Sequence, residues 1–306
     1  MSENNDNKPS KYAESRHRLV MESFYTERED REQVYLPAAL AHVFFPRRDL
    51  KLDPTESFVH KSGNYELSIT QLPIRNRNTE KNEYLGLPFG PKPRLLLSVI
   101  NALALQQGSN KIEINANSLS TFLIKMGLTD GGNQINQARN QLARLSASLI
   151  SVDYMNETGG QTHEQMAIVK GFDLFPRTQP NQLLLWDRNI TLSLDYWDEL
   201  QKHPLPLSLE HLRILSGNAR AIDFYCFLAY RLHHLNKPLF LSWVTMKEMF
   251  GGEIDRMDNF KAKMRATAEL VKLAYQDAKM ECNKNGWTFR NSTSPIAPSY
   301  KFELPK

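Results

Sequence analysis

The chain has 306 residues, 41% hydrophobic and 24% charged, which excludes wholesale disorder and leaves room for two domains of ordinary size. No apolar run reaches the roughly 18–20 residues of a membrane span. The polar N-terminus lacks the apolar stretch of a secretory signal. Cys226 and Cys282 are too few for a disulfide framework or a structural zinc site, so a cytoplasmic protein with reduced thiols and no membrane partner is expected. The net charge is only +4, from 38 basic and 34 acidic residues, so what matters is where the excess lies.

Residues 1–34 read as a mobile polar leader that can form a helix over Ser15–Glu32. Through Tyr35 the leader holds eight acidic and six basic residues, which leaves +6 on the remainder. Phe58–Lys61 and Tyr65–Thr70 flank Ser62-Gly63-Asn64 as a β-hairpin. GLPFGPKP (Gly86–Pro93) leads into a buried helix, Arg94–Gln107, stopped by Gly108. A strand at Lys111–Ile114 follows, then a helix over Leu119–Met126 capped by Asn117 or Ser118. After a turn at Thr129–Gly132 comes a helix over about Asn133–Ser146. Leu149–Met155 and His163–Phe175 form a hairpin around Glu157–Gln161. These are the parts of a winged helix, a helix-turn-helix with a β-hairpin appended.

Strands at Leu183–Trp186 and Ile190–Leu194 and a short helix at Tyr196–Lys202 precede a break at His203–Pro206, where a domain boundary is placed. Beyond it the order recurs. Ser208 caps Leu209–Leu215, Asn218 caps Ala219–Leu235, Leu239–Leu241 is a strand, and Ser242 caps Val244–Phe250. Gly251-Gly252 then turns into a long helix, Arg256–Tyr275, and Asn285-Gly286 marks a final hairpin. The expected fold class is α+β, with two tandem winged-helix domains over residues 35–203 and 204–306.

At 100° per residue, Ile135, Ala138, Leu142 and Leu145 share one side of the first candidate recognition helix. Asn133, Asn136, Gln137, Asn140 and Arg144 lie opposite, with Arg139 at the edge. No acidic residue occurs between Asp130 and Asp153. Asn and Gln can bond adenine bidentately, Arg can bond guanine, and all reach phosphates, whereas an ordinary exposed helix is laced with Glu and Lys. The second helix buries Met257, Phe260, Met264, Ala268, Val271 and Tyr275. Its outer ridge of Asn259, Ala262 and Ala266 is flanked by Arg256 and Lys263 on one side, Lys261 and Arg265 on the other. Small residues between cationic shoulders suit entry between two phosphate walls. Asp258 and Glu269 confine any docking to the N-terminal half. Gln161 and His163 near the first wing, and Lys284 and Arg290 near the second, are further polar residues in reach of a backbone.

Catalytic readings find little support. GLPFGPK has the wrong spacing for a P-loop, and its prolines remove N–H groups that would cradle phosphate. His233 and His234 are adjacent near a helix end, where they diverge by about 100°, and favourable interaction with the helix C-terminus explains them more simply than a metal. No zinc spacing or G-x-S-x-G elbow occurs. No catalytic residue, metal ligand or cofactor site is expected, and Cys226 reads as a core residue.

Several blocks, in order, resemble the RepA family of plasmid replication initiators. They are GLPFGPKPRLLL (Gly86–Leu97), NQINQARNQLARL, LLLWDRNITLS (Leu183–Ser193), HPLPLSLEHLRIL (His203–Leu215), AIDFYCFLAYRL (Ala221–Leu232), and LSW with FGGEIDRMDNFKAKMR. The resemblance runs from about Tyr35 to the C-terminus; the leader matches nothing, and Ala262 stands where a basic residue is expected. It implies tandem winged helices that bind directly repeated origin sites, or iterons, and help open an adjacent AT-rich region. It also implies recruitment of host initiator and helicase, with no enzymatic step by the initiator itself. In similar initiators a dimer represses its own gene, a form of copy control, while the monomer starts replication. The residues alone leave open a winged-helix transcriptional regulator that binds an operator as a dimer.

Overall fold

The computed structural model describes residues 11–75, 79–113, 132–155, 161–172 and 189–297. The helix expected at 119–126, the strand at 183–186 and, of the hairpin tip expected at 157–161, residues 157–160 lie outside those residues. The chain is α+β, helices interleaved with several small antiparallel sheets.

Helix α1 (Lys11–Tyr25) occupies the expected leader and begins four residues earlier than Ser15. Leu19 and Ser23 are buried because the helix packs on two helices of the C-terminal half. Strand β1 (Gln33–Pro37) pairs antiparallel with β11 (Pro204–Ser208), from Gln33↔Ser208 to Pro37↔Pro204. The segment expected as a break at His203–Pro206 is therefore a strand. A two-stranded ribbon tolerates its prolines, since a strand with one partner leaves alternate N–H groups unused.

Strands β2 (Ser57–Ser62), β3 (Tyr65–Gln71), β7 (Ser148–Met155) and β8 (Gln161–Ala167) form one antiparallel sheet in that order. The expected wing is thus part of a broader sheet, extended by the preceding hairpin. A short hairpin, β4 (Ile74–Arg75) with β5 (Asn82–Glu83), separates this sheet from helix α2 (Pro91–Gln107). Gly90, at φ +74°, admits the turn, and Pro91 starts the helix three residues earlier than expected because its missing N–H is not needed there. Gly108, at φ +62°, closes it with a left-handed cap. Strands β6 (Lys111–Glu113), β9 (Val169–Phe172) and β10 (Asn189–Leu192) make a second sheet, ordered β6-β10-β9. The stretch expected as one strand, His163–Phe175, bends at Ile168 and serves two sheets. Helix α3 (Gly132–Ser146) packs Ala138, Leu142 and Leu145 on this core with Leu95–Leu97 and Ile100 of α2.

The C-terminal half runs α4 (Leu194–Lys202), β11, α5 (Leu209–Leu215), α6 (Ala219–Arg231), β12 (Leu239–Ser242), α7 (Trp243–Phe250), α8 (Met257–Ala274), β13 (Met280–Cys282) and β14 (Gly286–Phe289). The expected caps are made: Ser208, Asn218 and Ser242 accept from the N–H groups of His211, Ala221 and Thr245. Helix α6 is shorter than expected, its last turn tightening into a 3-10 helix at Leu232–His234. The sheet order is β12-β14-β13. Gly286 faces Ser242 across this sheet, and any Cβ there would collide with the carbonyl of Leu241.

A buried charge cluster joins the halves. Asp223 of α6 accepts from Arg94 of α2 at 2.5 and 3.0 Å and from Arg47 at 3.2 Å. Arg47 also reaches Glu253 at 2.8 Å, and Glu253 pairs with Arg220. Around it Phe44 stacks near Phe250 at 5.4 Å, and a His60 ring nitrogen lies 2.9 Å from the Met249 carbonyl. Among the described residues, no helix is long and apolar enough to cross a membrane.

Candidate nucleic-acid interface

Helix α3 exposes Asn133, Asn136, Gln137 and Asn140, a single ridge at helical spacing, and its fifteen residues include no carboxylate. Gln137 donates to Asn133 at 3.3 Å, so part of the ridge is ordered by its own amides. Arg139 is half-buried beside it.

Arg144 departs from expectation. Its side chain is only 13% exposed: Nη2 donates to Asp49 at 3.1 Å, Nη1 to the Leu87 carbonyl at 3.0 Å, and Nε to Asn140 at 2.9 Å. The guanidinium also lies 5.0 Å from the Phe89 ring centroid. These internal partners occupy its donors, so it braces the helix and fixes Asn140 rather than facing solvent. Gln141 braces the same turn by accepting from the Phe89 N–H at 2.9 Å. Sequence spacing places Arg144 on the outer face; partners 55 to 95 residues away, Phe89, Leu87 and Asp49, turn it inward.

Helix α8 buries Phe260, Met264, Ala268 and Val271 as expected and exposes Asn259, Ala262, Lys263, Arg265 and Ala266. Arg256 is exposed at its N-cap, 4.0 Å from the equally exposed Asp258. Lys261 and Arg265 lie 5.7 and 5.2 Å from the Trp243 ring centroid. Trp243, the last residue of the LSW block, thus gathers two cations by cation–π attraction. Its Nε1 donates to the Asn283 carbonyl at 3.1 Å, which ties the same corner to the β13–β14 turn. Lys284 at that turn is exposed, whereas Arg290 pairs with Glu281 at 3.2 Å. The side chains of Gln161 and His163 lie outside the described residues.

Cys226 is buried, which pushes its thiol well above the ordinary range; Cys282 is exposed. Among the described residues no group of three or more His, Cys, Asp or Glu is arranged to hold a metal ion.

The architecture has solved counterparts. It superposes on a crystal structure of RctB domains 2-3 with a TM-score of 0.51 at 10% identity, covering 82% of this chain and 94% of that one. Selenomethionine derivatives of domain 2 and domain 3 of RctB give 0.53 at 11% identity, covering 82% and 97%. At such identities the likeness is one of fold. No curated protein matches the sequence. Residues 87–243, just over half of the chain, match the family described as plasmid encoded RepA protein, and the chain belongs to that family of plasmid replication proteins.

Proposed function

We propose that the protein initiates plasmid replication by binding repeated double-stranded origin sites sequence-specifically through two winged helices. In this reading α3 and α8 are the recognition helices, and β7–β8 and β13–β14 supply the wings. The observation that carries the proposal is the solvent-facing amide ridge of Asn133, Asn136, Gln137 and Asn140 on a helix without carboxylates, matched by a second helix with gathered cations. Two linked readers raise each other's effective concentration at adjacent grooves, so a monomer can hold an asymmetric repeat. Arrays on neighbouring repeats then supply free energy for bending and melting an adjacent AT-rich stretch. The protein catalyses no reaction in this scheme and needs no cofactor; it works in the cytoplasm and brings host initiator and helicase to the opened DNA, while a dimer regulates copy number.

The test begins with duplexes selected from a random library, followed by footprinting. Two protected grooves are expected. Lys261→Gln and Arg265→Gln should each flatten the slope of log affinity against log salt by about 0.9; an unchanged slope would remove α8 from the interface. A chain that binds such repeats but cannot maintain a plasmid carrying them would be a transcriptional regulator instead.

A further inference from the structure

The segment Arg47–Lys51 ties the two candidate readers together. Arg47 anchors it to the turn between α7 and α8, through Glu253 at 2.8 Å. The same turn is held by Arg220, which pairs with Glu253 and donates to the Phe250 carbonyl at 2.9 Å. Two residues on, Asp49 anchors it to α3 through Arg144 at 3.1 Å, and Arg144 in turn holds Asn140 of the amide ridge. Consecutive Cα atoms are about 3.8 Å apart, so both anchors lie within about 7 Å of chain. Arg48 sits between them, exposed.

Local bonding leaves Arg48 and Lys51 of this segment exposed. Asp49 Oδ1 accepts from the Lys51 N–H at 3.3 Å, and Lys51 holds φ +50°, so the turn is locked with Lys51 exposed. The next carboxylates are engaged locally. Asp53 accepts from the N–H and hydroxyl of Thr55 at 2.9 and 2.7 Å, and Glu56 accepts from the Asp53 N–H at 3.2 Å. Among the described residues Arg48 has no ion pair or hydrogen bond.

We propose that Arg48 and Lys51 form a third DNA contact, binding the phosphate backbone that spans the interval between the grooves occupied by α3 and α8. The inference rests on the DNA-binding reading above. Its chemistry is non-specific: a cation on a short strap reads charge and position, not bases. The strap would fix the distance between the readers on the protein and, through Arg48, on the DNA.

The experiment uses the full chain and two probes, a selected duplex and a scrambled duplex of equal length. Arg48→Ala and Lys51→Gln should each reduce the salt slope by about 0.9 on both duplexes and leave the preference between them and the melting temperature unchanged. In a Cys282→Ser background, an iron chelate tethered to Arg48→Cys should cleave the backbone between the two footprints. An unchanged slope, or cleavage outside that interval, overturns the proposal while leaving the two-reader assignment standing. Loss of sequence preference in Arg48→Ala would assign a base contact and overturn the phosphate contact. If the wild-type chain binds neither duplex with salt dependence, the DNA-binding reading itself fails and this inference falls with it.

Discussion

Arg94 Nε lies 2.5 Å from Asp223 Oδ1, both side chains are under 5% exposed, and 129 residues of chain separate them. Arg94 also donates to the carbonyls of Gly90 and Phe45 at 2.7 and 2.6 Å, so its charge is solvated by protein rather than water. Removing one partner strands the other in the interior. Asp223→Ala should cost about 3–5 kcal/mol in urea unfolding, and the double change Arg94→Met with Asp223→Leu should cost less than that. A double variant as unstable as the single would show that Arg94 matters through its carbonyl contacts.

The α3 ridge and its brace should separate cleanly. Asn136→Ala and Asn140→Ala should each weaken binding to a selected duplex by about 1–3 kcal/mol while leaving thermal stability nearly unchanged. Arg144→Ala should instead lower stability by about 1–3 kcal/mol, because Asp49 and the Leu87 carbonyl lose their donor. Parallel melting curves and bandshifts on the same preparations would expose any mixing of the two roles.

Acid should weaken the fold through histidines that burial holds neutral, foremost the buried His211 and the half-buried His42. Burial lowers His211 from 6.5 to about 3 and His42 to about 4, with Arg31 and Arg231 adding to the effect. The unfolded chain therefore takes up a proton at each position before the folded chain does. Their contribution is complete above pH 6.5 and erodes below it, until pH 4 for His42 and pH 3 for His211, at about 1.4 kcal/mol per pH unit for each. Urea titrations between pH 7.5 and 4.5 should show this decline, and His211→Phe should make it shallower. An equal slope in that variant would locate the acid sensitivity elsewhere.

Gly286→Ala should cost about 1–3 kcal/mol, since its Cβ would overlap backbone of Leu241 and Ser242 that cannot swing aside. Amide exchange should localise the loss to the sheet of β12, β14 and β13. Protection left intact there would mean that the strands shift in register to absorb the methyl.

Periodicity and capping were enough to place most helices, because those signals act over four residues or fewer. Ser208, Asn218 and Ser242 cap where the sequence places them. The buried stripe of Ala138, Leu142 and Leu145, and hence the amide ridge opposite, was legible for the same reason. What could not be read depends on partners far along the chain. Nothing near Arg144 announces Asp49, and nothing near Pro204 announces Pro37. The bend at Ile168 is set by two different sheets competing for one extended segment. The part of Trp243 in holding Lys261 and Arg265 appears only once α7 and α8 are packed.

The pairing of β1 with β11 also sets a timetable for synthesis. Val34 faces Leu207, and both are buried in the finished protein, yet a ribosome makes one long before the other. At about 5–20 residues per second, the strand waits roughly 10–35 s for its mate. Helix α1 waits longer still, for α8. Val34 and the buried face of α1 are thus made well before the residues that cover them, and while the intervening chain is synthesised that surface stays open to other molecules in the cell.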